Sequence, residues 1–455
     1  MISLPVFIQE YIDKFEKNNF EVYVVGGAVR SLLLNQKVDN WDFTTNATPE
    51  QILKLFPDAY YNNTYGTVSI LLNHQNTNRH FDGNDKKVVL ELTPFRKESD
   101  YQDSRHPTKV KWAKTLEEDL ARRDFTINAL AFNGKKIIDL FNGQKHLNSK
   151  LIVAVGDPDK RFSEDALRLI RAVRLASELG FLIEDKTRVS IEKNSELITK
   201  ISWERIRDEL LKIIVSDHPA EGIIFLKNTG LLKYIIPELD LCFLIPQKSP
   251  LRHHIFDAGT HMVMSLKHCP SKDPITRLAT LLHDIGKAKT FWKDNKTGLI
   301  TFYNHEVVST KLVKNIAERL RFSNKEKEKL TRLVKYHQFT VTEMATNKAI
   351  RRFIRNVGKE YLQDMLDLRI GDRLGSGAKP TSWRLELFKK RLIEVQKEPF
   401  KISDLKIGGK DVMKILNIKP GPKVGQILKK IFTDVEQGRV KNDRELLLEV
   451  LQIKK

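Results

Sequence analysis

Cysteine is nearly missing from this chain: Cys242 and Cys269 are the only two in 455 residues. Two isolated thiols make neither a disulfide framework nor a cysteine-based zinc site, which fits a reducing compartment. Long apolar runs are missing as well. No stretch approaches the roughly 20 residues needed to span a bilayer. The N-terminal run MISLPVFIQEYIDKFEKNNF carries acids early and reads as an amphipathic helix rather than a signal peptide. A cytoplasmic chain without a membrane partner is expected. There is no Gly-x-Gly-x-x-Gly, no Walker A pattern, no long-period repeat and no low-complexity tract. Acids are the minority charge, with 58 Asp+Glu against 78 Lys+Arg and a formal charge of +20.

That surplus favours a polyanionic partner, most simply nucleic acid. It is unevenly placed: residues 376–455 hold 19 Lys+Arg against 10 Asp+Glu, nearly half of the excess in the last sixth of the chain. Hydrophobic residues at 41% and charged residues at 30% describe a soluble globular protein. Its length is too great for one core and predicts two to four domains.

The first 150 residues mix both kinds of element. Residues 1–20 predict a helix. Glu21 to Val25 predicts a strand, broken by Gly26 and Gly27 before helical AVRSLLL. WDFTT, TVSILL, KKVVLELTPF and KKIIDLF are short and rich in β-branched or aromatic residues, as strands are. TPEQILKLF between them predicts a helix with Thr48 as N-cap and Pro49 at its first position. The expected fold class is therefore α+β, an α/β head. From Ser163 onward the pattern turns helical. Pro237, Pro246 and Pro250 mark one boundary, and GDRLGSGAKPTSW from Gly371 a second linker.

Gly26-Gly27, after a strand and before a helix, lets backbone N–H groups approach a phosphate, and Arg30 lies one turn further on. Asp42 falls on the next strand. Alternation along VVLELTPF puts Leu90 and Leu92 on one face and Glu91 on the other. Singly, Asp39, Asp42 and Glu91 are ordinary turn or strand-edge acids. Gathered beside a phosphate-binding turn, they are what two-metal phosphoryl transfer requires, with Mg²⁺ favouring hard oxygen donors.

The series GGAVRSLLL, WDFTTNATPEQILKLFP, YGTVSILL, ELTPFR, DSRHP, RRDFTINALAF, IIDLFNG, VGDPDKRF and EDALRLIRAVRLA resembles the bacterial-type (class II) CCA-adding enzyme and poly(A) polymerase family of tRNA nucleotidyltransferases. The resemblance implies a polymerase-beta-like head. It implies that Gly26, Gly27 and Arg30 hold the triphosphate of ATP or CTP, and that Asp42, with Asp39 and Glu91, carries catalytic Mg²⁺. Arg123, Asp124 and Asn128, in RRDxxxNA, would contact the nucleotide. Asp165 and Arg168, in EDxxR, would read the incoming base, with Arg171 beside them. Spacing alone gives Arg168, Arg171 and Arg174 as a solvated stripe at i, i+3, i+6.

Four positions depart from the family pattern. Ser31 follows GGxVR where Asp is usual. Asn40 stands two before Asp42 where Asp-x-Asp is usual, and Asp39 is displaced by one; a bulge is needed to turn Asp39 into the site. His146 replaces an Asp and Val153 an Arg.

Seven of the 12 histidines fall between His253 and His337. His283-Asp284 in ATLLHDIGK follows an apolar helix, His261 precedes it, and Asp372 lies further on. Imidazoles and carboxylates converging from separate helices make a divalent transition-metal site. The pattern H…HD…D resembles an HD domain, which implies His261, His283, Asp284 and Asp372 as ligands. His305 and His337 resemble the extra histidines of two-metal HD phosphohydrolases, and Lys287 is a candidate phosphate contact. Such domains hydrolyse phosphomonoesters or cyclic phosphodiesters.

DLKIGGKDVMKILNIKPGPKVGQILKKIFTDVEQGRV combines Gly-rich turns with Lys406, Lys410, Lys419 and Lys423 and resembles the RNA-binding tail of the same family. The expected order is a head over 1–150, a helical neck over 151–245, an HD domain over 246–378 and a tRNA-binding tail over 379–455. The expected activity is CCA or A addition to tRNA 3′ ends. Poly(A) synthesis is the alternative, and an HD phosphohydrolase with a degenerate RNA-binding head is another. Oligomeric state is not legible.

Overall fold

The computed structural model describes residues 2–38, 40–61, 66–72, 88–97, 111–247, 256–339, 342–396, 402–437 and 439–453. These form two compact units, Met1–Pro237 and Glu238–Lys455. The division falls at the first of the three clustered prolines.

The first unit opens with α1 (Val6–Lys17), β1 (Val22–Val25), α2 (Gly27–Leu33), β2 (Trp41–Thr45) and α3 (Pro49–Leu55). It continues with β3 (Tyr60–Tyr61), β4 (Val68–Leu72), β5 (Val88–Pro94), a side ribbon β6 (Arg96–Lys97) with β7 (Lys111–Trp112), and α4 (Leu116–Ala121). Next come β8 (Leu130–Phe132), β9 (Ile137–Asp139) and α5 (Gly143–Asn148). Among the described residues a seven-stranded sheet runs β3-β4-β5-β2-β1-β8-β9. β2 and β5 pair in parallel and their other neighbours are antiparallel. Ile8, Ile12 and Phe15 of α1 recur at helical spacing and are buried with Trp41, Phe43, Leu90 and Leu92. Thr48 caps α3 with Gln51 in a reciprocal capping box behind Pro49, as the sequence predicts. Because strand residues alternate in facing, Asp42 and Glu91 lie on the side opposite this core. There Val25, Phe95, Leu116, Leu120 and Ala131 make a smaller cluster under α4.

The unit ends in helices. α6 (Pro158–Glu164) and α7 (Leu167–Leu179) connect the two strands of a short parallel pair, β10 (Leu151–Ile152) and β11 (Leu182–Ile183). α8 (Asp185–Asn194), α9 (Trp203–Val215), α10 (Pro219–Asn228) and α11 (Leu232–Ile235) complete it. The arginine stripe on α7 is not solvated: Arg168 is buried.

The second unit holds α12 (Pro237–Cys242), α13 (Ala258–Lys267), α14 (Pro274–Leu282), α15 (Lys287–Thr290), and a small ribbon β12 (Trp292–Lys293) with β13 (Ile300–Thr301). It continues with α16 (His305–Arg319), α17 (Asn324–Tyr336), α18 (Asn347–Val357), α19 (Leu362–Gly375) and α20 (Trp383–Gln396). α21 (Gly409–Leu416), α22 (Pro422–Glu436) and α23 (Arg444–Ile453) pack around Val412, Ile431, Leu447 and Leu451. One expectation is corrected. Gly371 to Gly375 is not linker but the last turn of α19. A Cβ on Gly375 would lie 2.3 Å from Ser265 Oγ, and one on Gly371 2.7 Å from the Ser265 carbonyl oxygen. These glycines let α19 approach α13 closely, so composition that resembles a linker instead marks helix packing.

Candidate functional site

Asp42 and Glu91 are register partners on the parallel pair β2 and β5. Partners on adjacent strands share a face. Burial raises the Asp42 pKa while Arg123 opposes the rise. Burial raises that of Glu91, and the Asp42 charge adds to it. Two carboxylates that perturb one another on an open sheet face present hard oxygen donors to a divalent cation. Asn40 is an exposed residue at a bend just before β2. Asp39 and the DSRHP segment lie outside the described residues.

Gly26 adopts φ +67°, a conformation that favours glycine. A Cβ there would stand 3.2 Å from Arg123 Nη1 and 4.0 Å from Asp42 Oδ2. The turn, the arginine and the acid are therefore neighbours. Gly27 opens α2, and Arg30 on that helix donates from Nη1 to Asn128 Oδ1. Asn128 Nδ2 donates to Asp124 Oδ1 at 3.2 Å. The other oxygen of Asp124 meets Arg171 Nε at 2.8 Å and Nη2 at 2.6 Å. Burial alone would push Asp124 up, but Arg171 and the Asn128 bond hold it well below the usual carboxylate range. Arg30, Asn128, Asp124 and Arg171 thus form one chain of hydrogen bonds tying α2 to α7.

Asp165 caps its own turn, accepting from the Leu167 N–H at 3.0 Å, and lies 3.5 Å from Arg205 Nη2. Arg168 donates to Glu164 Oε2 at 2.8 Å and to the carbonyls of Arg161 and Arg122 at 3.0 and 2.9 Å. Its guanidinium is fixed in place by the RRD segment and its own helix approach. Of the departing positions, His146 Nδ1 sits 2.9 Å from Thr126 Oγ1, and the Val153 carbonyl accepts from the Thr126 N–H.

Sequence reasoning missed Asp119. It is fully buried, and its carboxylate takes Arg122 at 2.8 Å, Arg123 at 3.1 Å, the Arg96 N–H at 3.1 Å and Thr44 Oγ1 at 3.3 Å. The signal was present: an acid three and four residues before the paired arginines, on the helix they terminate. Arg96 was overlooked too; burial and the neighbouring Arg122 lower its pKa to about 10, and Nη2 reaches Thr67 Oγ1 at 2.9 Å.

In the second unit the six predicted ligands meet. His261, His283 and Asp372 offer ligand atoms within 4.8 Å of one another, and so do Asp284, His305 and His337. Asp284 lies between the sets: Oδ2 is 3.2 Å from His283 Nε2 and Oδ1 is 3.0 Å from His305 Nε2. The Nδ1 atoms of His283, His305 and His337 face the Thr280, Phe302 and Val334 carbonyls at 2.8, 2.9 and 2.7 Å. Such bonds fix the tautomer and turn Nε2 inward, the outer support a metal-binding imidazole has. Burial opposes charge on His283, yet the Asp284 and Asp372 carboxylates lift it to about 10. The buried acids demand positive charge at their centre. Lys287 Nζ is 2.6 Å from Asp284 Oδ2 and also donates to Gln247. The six ligand-type side chains and Lys287 line a cavity of about 530 Å³.

In the tail Lys406, Lys410, Lys419 and Lys423 are exposed. The Gly408 N–H is taken by Asp411 Oδ2 at 2.8 Å, so it caps α21 rather than presenting a free donor.

No described helix is long and apolar enough to cross a membrane. Family comparison matches residues 22–153 to the Poly A polymerase head domain, 180–242 to the probable RNA and SrmB-binding site of polymerase A, and 295–451 to the putative tRNA nucleotidyltransferase domain 2. The CCA-adding enzyme of Ligilactobacillus salivarius (strain UCC118) is 33% identical over 449 residues, covering 98% of this chain and 95% of that protein. That of Lactobacillus helveticus (strain DPC 4571) is 44% identical over 234 residues, covering 50% and 55%. The crystal structure of the Bacillus stearothermophilus CCA-adding enzyme in complex with CTP superposes with a TM-score of 0.71 at 26% identity, covering 98% of this chain and 96% of that one.

Proposed function

This chain belongs to the CCA-adding enzyme family, and from that premise we propose that it adds C, C and A to tRNA 3′ ends from CTP and ATP. The observation that carries the reading is the register pairing of Asp42 with Glu91 beside Gly26 and Arg123. The terminal ribose 3′-oxygen attacks the α-phosphorus. The bond to the β-phosphate bridge breaks, pyrophosphate leaves with the electron pair, and the hydroxyl proton passes to solvent. A divalent ion, Mg²⁺ by the hardness of the donors, would be held by Asp42 and Glu91 and would neutralise charge on the reacting phosphate. Arg30 and Arg123 face the triphosphate from the Gly26-Gly27 turn. Asn128, Asp124 and Arg171 brace Arg30, and Asp119 braces Arg123. Asp165 and Arg168 read the base edge, their positions set by Leu167, Glu164 and Arg122. The exposed tail lysines grip tRNA phosphates, and the enzyme works in the cytoplasm. Positioning and electrostatics dominate, since little covalent work falls to the protein.

The test is incubation with tRNA lacking CCA, CTP and ATP, followed by product sequencing. Tails ending in CCA support the reading. A homopolymeric A tail would replace it with poly(A) synthesis, and no transfer at all would leave the head as an RNA-binding module.

The histidine cavity supports a second activity. Its six ligands and the outward-facing Nδ1 bonds fit an HD domain with two divalent transition metals. Hydrolysis of a phosphoester is the chemistry such a site serves: a water oxygen bonds to phosphorus, the ester P–O bond breaks, and the leaving oxygen takes the water's proton. Release of phosphate from adenosine 3′-monophosphate in Mn²⁺, Co²⁺ or Ni²⁺, lost in Asp284→Ala, tests it.

A further inference from the structure

Beside the histidine cavity lies a second one of about 520 Å³. The two share Gln338, Arg369 and Arg373 as a common wall. The second is completed by Arg384, Ser382 and Phe339, and among the described residues no acid lines it. The first carries Asp284, Asp372 and Glu306 on its wall. Two guanidinium groups, of Arg369 and Arg373, thus stand in the wall between the cavities, and Arg384 adds a third on the side that carries no acid.

Those guanidinium groups are held but not saturated. Arg373 donates from Nε to the Lys379 carbonyl at 2.9 Å and from Nη2 to the Thr381 carbonyl at 3.3 Å, which leaves Nη1 without a partner among the described residues. Arg369 uses Nη1 on Asp372 Oδ2 at 3.1 Å and lies over the Phe339 ring at 5.5 Å. Arg384 touches Glu343 through Nε at 3.5 Å, with both terminal nitrogens unpartnered among the described residues and its side chain 54% exposed. Anchored guanidinium forks with spare N–H edges are suited to a phosphate, which accepts two bonds from one fork.

We propose that the arginine cavity binds a second phosphate of the substrate hydrolysed at the histidine cluster. The site then takes a nucleotide bearing two phosphates, one at the metal ligands and one at Arg373 and Arg384. This rests on the phosphohydrolase reading for the first cavity. Two sources share that chemistry, a nucleoside bisphosphate and the 3′-phosphorylated end of an oligonucleotide.

The experiment uses the full chain and compares it with Arg384→Ala and Arg384→Lys. Adenosine 3′,5′-bisphosphate and adenosine 3′-monophosphate, each as the slowly hydrolysed 3′-phosphorothioate, are titrated calorimetrically into the Mn²⁺-loaded protein, so that the cluster keeps its metals and any binding to the head cancels between proteins. The expected result is a roughly tenfold weaker Kd for the bisphosphate in Arg384→Ala, with the monophosphate Kd shifted far less. Arg384→Lys keeps most of the affinity. Equal bisphosphate affinity in all three proteins overturns the proposal, as does equal loss for both ligands. Hydrolysis with Mn²⁺, Co²⁺ or Ni²⁺ is measured separately. Its absence sinks the phosphohydrolase reading, and with it the assignment of the arginine cavity to a substrate of that reaction, whereas the titration alone decides whether a second phosphate is bound. Repeating the titration with a 3′-phosphorylated adenylyl dinucleotide identifies the source, the better ligand being the one that loses more in Arg384→Ala.

Discussion

In the first unit two carboxylates stand together on one face of a sheet; in the second, six ligand-type side chains, most of them buried, line one cavity. The sheet places Asp42 beside Glu91 by register alone, since parallel pairing sets partner residues on one face. The cavity gathers its set from α13, α14, α16, α17 and α19 and the turns that follow them, and orients the rings of His283, His305 and His337 through backbone carbonyls. The open pair leaves room for a triphosphate and an RNA end to complete the coordination. The histidine set would supply most of a coordination sphere from protein and leave a substrate a small share. The proposed site for a large charged substrate and the proposed site for a small phosphoester would differ in this way.

The comparison breaks most sharply by removing one acid from each side. Asp42→Ala is expected to lower CTP and ATP incorporation at least about 10³-fold, with phosphate release at the histidine cavity intact. Asp284→Ala is expected to do the reverse and to lose bound metal measured by atomic emission. Full incorporation in Asp42→Ala would refute the metal assignment in the head.

The next effect concerns what holds the head's arginines. Asp119 is buried against Arg122, Arg123 and the Arg96 N–H, and although burial disfavours its charge the two arginines keep it ionised. Asp119→Asn leaves the charges of Arg122 and Arg123 uncompensated and is expected to cost about 3 kcal/mol in stability. Chemical unfolding measures this. Incorporation should fall by about 10²-fold as Arg123 loses its place beside Gly26. An unchanged denaturation midpoint would show that Arg123 holds itself.

Much of this was legible in the sequence, for physical reasons that differ by region. Alternation along VVLELTPF sent Glu91 away from the core, and Thr48-Pro49 announced α3. The histidines were legible as a set because the pattern H…HD…D resembles an HD domain. Three things were not. Asp119 was passed over: its spacing to Arg122 and Arg123 hints at a pair, but its burial depends on α4 packing Leu116 and Leu120 against Phe95, which no local pattern reveals. Arg168 read as solvated by spacing alone, yet one of the groups that hold it is the Arg122 carbonyl, 46 residues earlier. Gly371 and Gly375 mimicked a linker, because the contact that needs them, Ser265 on α13, is distant in sequence.

A smaller effect follows from the Asp124–Arg171 pair. Asp124 is depressed in the folded state, so its contribution is present above the ordinary carboxylate pKa near 3.9 and is lost as pH falls below that toward the folded value. Asp124→Asn should therefore be less stable than the parent by about 2 kcal/mol at pH 7. The gap should narrow as the pH drops through and below about 4. Thermal unfolding across that range checks the sign: a gap that widens in acid contradicts the pairing.

The smallest effect tests how far the open pair of the head differs from a fuller set. Asn40 stands two residues before Asp42, and the alternation of an extended chain would set both on one face if β2 were continued backward by two residues. The structure instead begins β2 at Trp41, with Asn40 exposed at a bend. Its neutral amide oxygen is a weaker cation donor than a carboxylate. If Asn40 swings toward Asp42 when metal binds, Asn40→Asp adds a charged ligand and lowers the Mg²⁺ concentration for half-maximal incorporation by roughly threefold to tenfold. If the bend holds Asn40 outside, the Mg²⁺ dependence stays where it was, and the head reacts with only Asp42 and Glu91 contributed by the described residues. A titration of incorporation against Mg²⁺ separates the two, and Asn40→Ala sharpens it: loss of a contributing amide raises the Mg²⁺ requirement, whereas an exposed bystander can be truncated without effect.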